Sequence, residues 1–214
     1  MRGKGVIFDF DGTLAHTLPD IAAALNAGLR ELGLPESSES DVRNWIGEGV
    51  PTLCRRALAA HPEVPAERLI SVVAVHYEIH RLDQVRPFDG IAETLDVLVA
   101  RRIPLAVLTN KPHVHTVPMV EALFARWPWV AVEGYKVEER RKPDPRNALE
   151  IAAKMSLSPA EVMMVGDSFT DIQTAVNAGM IPVGCTWGYR SRDELFAAGA
   201  RHLLDRPQQL LELI

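Results

Sequence analysis

A pair of aspartates near the beginning of the chain offers the first candidate chemistry. Asp9 and Asp11 follow the apolar run Val6-Ile7-Phe8 and precede Gly12 and Thr13. Side chains two residues apart in extended backbone point the same way, so the two carboxylates lie close together. Because they repel each other, the pair favours a hard cation between them, and Mg2+ is the ion that we expect.

Two plainer interpretations account for less of this segment. A turn after a strand often carries Asp-Gly, which explains Asp11 and Gly12 but neither Asp9 nor Thr13. A calcium loop of the EF-hand type requires glycine at its sixth position, and the sixth residue counted from Asp9 is Leu14. Such a loop also follows a helix, whereas a strand-like run stands before Asp9. We therefore favour the metal-site interpretation.

A second acidic pair follows the apolar run Val162–Val165. Asp167 and Asp171 are four residues apart, so at the beginning of a helix they share a face. Like charges at this spacing repel unless the helix N-terminus or a cation holds them. Helix capping explains one of the two aspartates, whereas metal binding explains both, so we expect a metal site here as well.

Two further segments carry groups that suit a phosphate. Thr109 and Asn110 follow the apolar run Ile103–Leu108, and their hydroxyl and amide groups could bind a phosphate oxygen. Capping of the next helix explains the same two residues equally well. Lys142 lies in the basic turn Arg140–Pro145, where its ammonium group would stabilise negative charge on a transferring phosphoryl group. An exposed surface loop is the alternative for this turn.

The elements that position these residues alternate between strands and helices. The first apolar run ends at Asp9, and further strands are predicted at Ile103–Leu108, Trp129–Val132, Val162–Val165, Ile181–Cys185 and His202–Leu204. Helices are predicted at Ile91–Ala100, His113–Phe124, Pro145–Met155, Thr170–Ala178 and Pro207–Leu213. This order predicts an α/β fold with a doubly wound parallel sheet. Since the carboxyl ends of parallel strands meet at one edge, the candidate residues should converge there.

The segment after the first strand has a different pattern. Apolar residues recur at helical spacing in four stretches, at residues 17–33, 41–45, 51–60 and 65–82. No convincing strand is predicted among them. We therefore expect a helical domain at residues 16–85, inserted into an α/β core that consists of residues 1–15 and 86–214.

Composition narrows the class of protein. The 214 residues carry a formal net charge of -5 with no long basic run, which argues against a nucleic-acid binder. Cys54 and Cys185 form no disulfide framework, and no apolar run approaches the length of a membrane span. Met1 leads straight into the first strand, with no signal peptide. We expect a cytoplasmic monomer or homodimer with neither nucleic acid nor membrane as a partner.

In combination, these segments resemble the haloacid dehalogenase (HAD) superfamily of phosphohydrolases. The matching motifs are Asp9-Phe10-Asp11-Gly12-Thr13-Leu14, Thr109, Lys142, and Gly166-Asp167-Ser168 with Asp171. The resemblance implies a HAD-like Rossmann-type core with an inserted α-helical cap. It also implies a Mg2+-dependent phosphatase that acts on a small phosphorylated metabolite through an aspartyl-phosphate intermediate.

The same resemblance implies a role for each matching residue. Asp9 would be the nucleophile, and Asp11 would be the general acid and then the base for the attacking water. Three residues would bind the phosphoryl group: Thr109, Asn110 and Lys142. The Mg2+ ligands would be Asp9, the carbonyl group of Asp11, and Asp167, with Asp171 in support.

A finer resemblance is to the phosphoglycolate phosphatases within this superfamily. It is carried by the segments Pro19–Asn26, Trp45–Gly49, Thr109–Pro112, Arg141–Pro145 and Thr186–Tyr189. It implies hydrolysis of 2-phosphoglycolate to glycolate and phosphate. It also implies a substrate loop in the cap, formed by Ile46, Gly47, Glu48 and Gly49.

The chain departs from that group at Ala15-His16-Thr17, where Val-Asp-Ser is usual, and His16 would lie beside the site entrance. Three other activities therefore stay open at this point. The substrate could be another sugar phosphate or pyrophosphate, or the enzyme could be a phosphotransferase of the β-phosphoglucomutase type. The third alternative is a non-catalytic phosphate-binding protein, against which the intact pair of Asp9 and Asp11 argues.

Overall fold

A computed structural model describes residues 3–214, whose contacts divide the chain into two compact units. The first unit reaches Ala15, resumes at Pro87 and continues to Ile214. The second unit is His16–Arg86. No helix within residues 3–214 is both long enough and apolar enough to cross a membrane.

The two units contain the following elements. The strands are β1 (Gly5–Phe8), β2 (Ala15–His16), β3 (Arg86–Pro87), β4 (Leu105–Pro112), β5 (Trp129–Tyr135), β6 (Val162–Gly166), β7 (Ile181–Cys185) and β8 (His202–Leu204). The α-helices are α1 (Leu18–Glu31), α2 (Glu39–Trp45), α3 (Val50–Ala57), α4 (Ala66–His80), α5 (Ile91–Ala100), α6 (His113–Phe124), α7 (Arg146–Lys154), α8 (Phe169–Ala178) and α9 (Arg192–Ala197). Short 3-10 helices lie at Glu138–Arg140, Pro159–Glu161 and Pro207–Glu212.

One parallel sheet organises the first unit. In the described part of the chain it has six strands in the order β5-β4-β1-β6-β7-β8, and β2 and β3 form a separate two-stranded sheet. Val6, Ile7 and Phe8 of β1 are at most 1% exposed, as expected for a strand covered on both faces. The chain proceeds outwards from β1 to β4 and β5, and then returns to the other side of β1 with β6. This order confirms the predicted α/β fold with a doubly wound parallel sheet.

Helices α1 to α4 form the second unit, where α1 packs against α4 with Gly28 lying against Leu69. A long-range contact closes the unit. The buried carboxylate of Asp20 accepts hydrogen bonds from the backbone N–H of Gln84, at 3.0 and 3.2 Å, and from that of Val85, at 2.9 Å. Asp20 therefore ties the first turn of α1 to the far end of the same unit.

The structure corrects several predicted element boundaries. Strand β4 continues past the predicted end at Leu108 to Pro112, because Pro112 pairs with Tyr135 of β5 after an irregularity in the register. The predicted helix at Pro207–Leu213 is a 3-10 helix. Helix α9 is not predicted from the sequence, since its six residues hold too little apolar periodicity to be recognised.

Candidate active site

The first two candidate carboxylates follow neighbouring strands at the centre of the sheet. In the register of β1 and β6, Phe8 lies opposite Val165, so Asp9 and Asp167 both lie just beyond the ends of neighbouring strands. The backbone N–H of Asp9 donates to the carbonyl oxygen of Val165 at 2.9 Å. The strand order reverses between β1 and β6, and a crevice that suits a ligand opens at the carboxyl ends of strands at such a point.

A third carboxylate joins these two in an acidic cluster, which consists of Asp9, Asp167 and Asp171. Their ligand oxygens all lie within 4.8 Å of one another, and all three residues are buried. Asp171 stands in the first turn of α8, where one of its oxygens accepts from the N–H of Ser168 at 3.0 Å and from the hydroxyl of Ser168 at 2.6 Å. One oxygen of Asp171 therefore caps the helix, as expected for one aspartate of the pair. Its other oxygen accepts a hydrogen bond from Lys142.

Lys142 supplies the positive charge of the acidic cluster. Its Nζ lies 2.8 Å from Oδ1 of Asp9 and donates a hydrogen bond to Oδ1 of Asp171. Only 2% of the Lys142 side chain is exposed, so the alternative of an exposed surface loop is wrong for this residue. Burial alone would lower the pKa of Lys142, but the carboxylates of Asp171 and Asp9 outweigh it and raise the pKa. The ammonium group is therefore charged at neutral pH.

One ammonium group does not balance three buried carboxylates. Burial, together with the charge of Asp171, raises the pKa of Asp9 to about 6. Burial, together with the charges of Asp171 and Asp9, raises the pKa of Asp167 to about 8. Oδ1 of Asp9 lies close to Nζ of Lys142 but is not aligned for a hydrogen bond. This buried oxygen therefore has no hydrogen-bond partner among the described residues. Hard oxygen donors with surplus negative charge fit a small divalent cation, so the residues present fit Mg2+.

Asp167 is held by loops that approach it closely. Its Oδ2 accepts from the backbone N–H of Tyr189 at 2.7 Å, and its Oδ1 accepts from the hydroxyl of Thr13 at 3.3 Å. A Cβ atom at Gly188 would overlap the Cβ of Asp167 and the carbonyl oxygen of Gly12. Only glycine therefore lets the segment after β7 reach the carboxylate and donate its N–H group.

Asp11 stands apart from the acidic cluster and has a lysine of its own. Nζ of Lys111 donates to both oxygens of the Asp11 carboxylate, at 3.0 and 3.2 Å. The side chains of Lys111 and Asp11 are 4% and 15% exposed, respectively. Lys111 is not among the site residues predicted from the sequence. The signal that could have found it is its spacing of two from Thr109, which places both side chains on one side of extended backbone.

Thr109 and Asn110 lie inside the last part of β4. Both are buried, and Oγ1 of Thr109 accepts from the backbone N–H of Lys111 at 3.3 Å. The side-chain amide of Asn110 pairs with the main chain of Lys142: Oδ1 accepts from its N–H at 2.8 Å and Nδ2 donates to its carbonyl oxygen at 3.1 Å. The capping alternative is wrong for both residues, because Pro112 occupies the N-cap position of α6.

Comparison with known proteins identifies the family of this chain. The model of one protein family, haloacid dehalogenase-like hydrolase, matches residues 6–184. The chain belongs to this family. Three similar proteins illustrate the relationship within the HAD-like hydrolases.

Two of these proteins are named phosphoglycolate phosphatase. The protein from Escherichia coli (strain K12) is 34% identical over 208 residues, which cover 87% of this chain and 82% of that protein. The protein from Pseudomonas putida (strain KT2440) is 35% identical over 217 residues, which cover 96% of this chain and 78% of that protein. The third is the crystal structure of a predicted phosphoglycolate phosphatase from Haemophilus somnus, with a TM-score of 0.91 and 30% identity over 99% of this chain and 98% of that one.

The predicted substrate loop of this HAD-like hydrolase lies in the second unit. The residues at the sheet edge belong to the first unit. Ile46 follows α2 directly, and Gly47 and Gly49 both have positive φ angles, of 113° and 85°. The Glu48 carboxylate pairs with the guanidinium group of Arg56 at 2.6 Å. A role for this loop in substrate binding stays a prediction.

Proposed function

We propose that this HAD-like hydrolase is a Mg2+-dependent phosphatase that hydrolyses a small phosphate monoester through an aspartyl-phosphate intermediate. The observation that carries the proposal is the meeting of the buried acidic cluster with the ammonium group of Lys142 at the reversal of strand order. The family of the chain and the names of its relatives support the same activity. Bound Mg2+ would be held by Asp9, the carbonyl group of Asp11, and Asp167, with Asp171 in support, and would neutralise charge between the phosphate and the carboxylates.

In the first half of the proposed reaction, the phosphoryl group moves to the protein. A carboxylate oxygen of Asp9 forms a bond to phosphorus while the bond from phosphorus to the ester oxygen breaks. Asp11 gives its proton to that departing oxygen, so the oxygen leaves as a neutral hydroxyl group of the product. Lys142 binds the phosphoryl oxygens together with the hydroxyl of Thr109, and its positive charge lowers the repulsion between the phosphate and Asp9.

In the second half, water releases the phosphate. The Asp11 carboxylate, now ionised, takes a proton from a water molecule as the water oxygen attacks phosphorus. The bond from phosphorus to Asp9 breaks, which regenerates the Asp9 carboxylate and leaves Asp11 protonated for the next cycle. Asp11 therefore acts once as an acid and once as a base, and no net proton is gained or lost by the protein.

We propose 2-phosphoglycolate as the substrate to test first. The relatives named phosphoglycolate phosphatase, which cover most of this chain, support this choice. The departure at His16, in the second unit, is the reason to test other esters beside it. A cytoplasmic location fits such a metabolite and belongs to the same proposal.

A panel of phosphate esters, assayed with and without Mg2+, tests the proposal. We expect release of inorganic phosphate from 2-phosphoglycolate, abolition of turnover by EDTA, and its restoration by Mg2+. Asp9→Asn should abolish turnover while the protein stays folded, because an amide cannot form the aspartyl-phosphate. Asp11→Asn should still accept a phosphoryl group but release it slowly.

Different results would point elsewhere. Conversion of a glucose 1-phosphate isomer without release of phosphate would favour a phosphotransferase. Absence of turnover for every ester, at any Mg2+ concentration, would favour a phosphate-binding protein. Turnover at the wild-type rate in Asp9→Asn would refute the mechanism.

A further inference from the structure

Two buried lysines face the candidate catalytic carboxylates, and each has a different partner. Lys142 contacts Asp9 and Asp171, whereas Lys111 makes a two-pronged contact with Asp11. The resemblance to HAD phosphohydrolases assigns a role to Lys142 alone. The resemblance therefore leaves the contact between Lys111 and Asp11 without a role.

The contact of Lys111 with Asp11 is well placed to fix the orientation of a carboxylate. Asp11 stands in the loop after β1, and Lys111 stands near the end of the neighbouring strand β4. Both carboxylate oxygens accept from one ammonium nitrogen, at 3.0 and 3.2 Å. Rotation of the carboxylate would break at least one of these hydrogen bonds. Because the lysine side chain is 4% exposed, water competes poorly for the same donor, and the contact is stronger than an exposed ion pair.

We propose that Lys111 is a positioning residue, which holds the Asp11 side chain through one oxygen while the other oxygen carries the proton that passes to the departing oxygen. The proposal rests on the function proposed above. General acid catalysis depends first on geometry, because the acid must be within hydrogen-bond reach of the atom that it protonates. Lys111 acts through Asp11 in this proposal and does not touch the phosphoryl group.

The dependence of the rate on the leaving group separates this role from others. An alkoxide is a poor leaving group and requires a proton, whereas p-nitrophenolate departs without one. In Lys111→Met, we expect kcat/KM for 2-phosphoglycolate, or for the alkyl phosphate that the wild type hydrolyses fastest, to fall by about 10- to 100-fold. We expect kcat/KM for p-nitrophenyl phosphate to change by less than about threefold. This parameter is chosen because it covers the steps up to loss of the leaving group.

A matched control and a double variant sharpen the test. Lys154→Met removes an ion pair with Glu133, 3.3 Å long, from a half-exposed lysine, and should leave both substrates unaffected. In the background of Asp11→Asn, the Lys111→Met change should have no further effect on either substrate, because its action passes through the Asp11 carboxylate. An equal loss for both esters with a raised KM would mean that Lys111 binds the phosphate, and would overturn the proposal.

Urea unfolding of four proteins (wild type, Lys111→Met, Asp11→Asn and their double variant) gives a readout that needs no turnover. If Lys111 holds Asp11, the double variant should lose less stability than the sum of the two single losses. Additive losses would overturn the proposal even in an active enzyme. If the wild type hydrolyses no ester, the proposed function fails, while the coupling measured in urea still decides whether Lys111 holds Asp11.

Discussion

Replacing Asp167 with asparagine should stabilise the metal-free protein. The carboxyl group of Asp167 is buried beside Asp9 and Asp171, and its pKa is raised to about 8 by burial and by their negative charges. Asparagine has the same shape, and its amide oxygen can still accept from the N–H of Tyr189. The hydroxyl of Thr13 can reverse its role and accept from the new amide nitrogen. The substitution thus removes a charge from the acidic cluster and keeps its contacts.

The size of the effect follows from the shift in pKa. A raised folded-state pKa means that the folded chain binds more protons than the unfolded chain between pH 3.8 and about 8. The stability of the wild type therefore falls as the pH rises through this window. At about 1.4 kcal/mol per pKa unit, full ionisation of Asp167 costs on the order of 6 kcal/mol. The neutral amide of Asp167→Asn carries no such cost, so the advantage of the variant should widen from pH 5 to pH 8 and then level off.

Urea unfolding in EDTA, at pH 5 and at pH 8.5, measures this difference. Mg2+ should then raise the stability of the wild type at pH 8.5 and have little effect on Asp167→Asn, which lacks one of the proposed ligands. Asp89→Asn, at an exposed carboxylate, is the matched control and should change stability by less than about 0.5 kcal/mol. A variant no more stable than the wild type at pH 8.5, or an advantage that narrows as the pH rises, would refute this electrostatic reasoning.

Three other substitutions, with Asn177→Ala as the control for the first, test what stabilises the site and, separately, what stabilises the second unit. Asn110→Ala should lower kcat about 10-fold or more and the free energy of unfolding by about 1–3 kcal/mol, because it leaves the buried peptide group of Lys142 unpaired. Asn177→Ala removes an exposed hydrogen bond to the same loop and should change neither kinetics nor urea unfolding appreciably. Gly188→Ala should cost about 1–3 kcal/mol in urea unfolding and weaken Mg2+ binding measured by calorimetry, because its methyl group would overlap the acidic cluster. Asp20→Ala should speed hydrogen exchange at the amides that Asp20 now binds, and unchanged exchange would contradict its role as a tie within the second unit.

The meeting of Asp9 and Asp167 in one site can be predicted from patterns in the sequence. Asp9 and Asp167 both stand at the ends of strongly apolar runs, and such runs predict strands buried in a parallel sheet. The carboxyl ends of neighbouring parallel strands share an edge, so two residues 158 positions apart in the chain could be expected to meet. The helix boundaries Ile91–Ala100 and His113–Phe124 also agree with the structure.

The details of the polar contacts are not encoded in such patterns. Thr109 and Asn110 have the composition of a turn, yet they lie within β4, between Leu108 and Pro112, which both pair with β5. The hydrogen bonds from Asn110 to the main chain of Lys142 join two distant segments, and no sequence pattern in either segment predicts the contact. The burial of Lys111 could not be predicted from the sequence for a related reason. A lysine after a strand is usually exposed, and its burial depends on the carboxylate of Asp11, which comes from a distant part of the chain.

The segment between Leu14 and Phe88 has hydrogen bonds close to both of its ends, and these bonds affect how freely the segment can change. On the sheet side, the N–H of Phe88 donates to the carbonyl oxygen of Leu14 at 3.1 Å, so the strand exit and the return are already joined. Asp20 makes a comparable clasp with Gln84 and Val85 inside the second unit. A segment with joined ends can be lengthened, shortened or exchanged at little entropic cost. The segment between Leu14 and Phe88 can therefore vary in length or sequence while the hydrogen bond that joins its ends is kept.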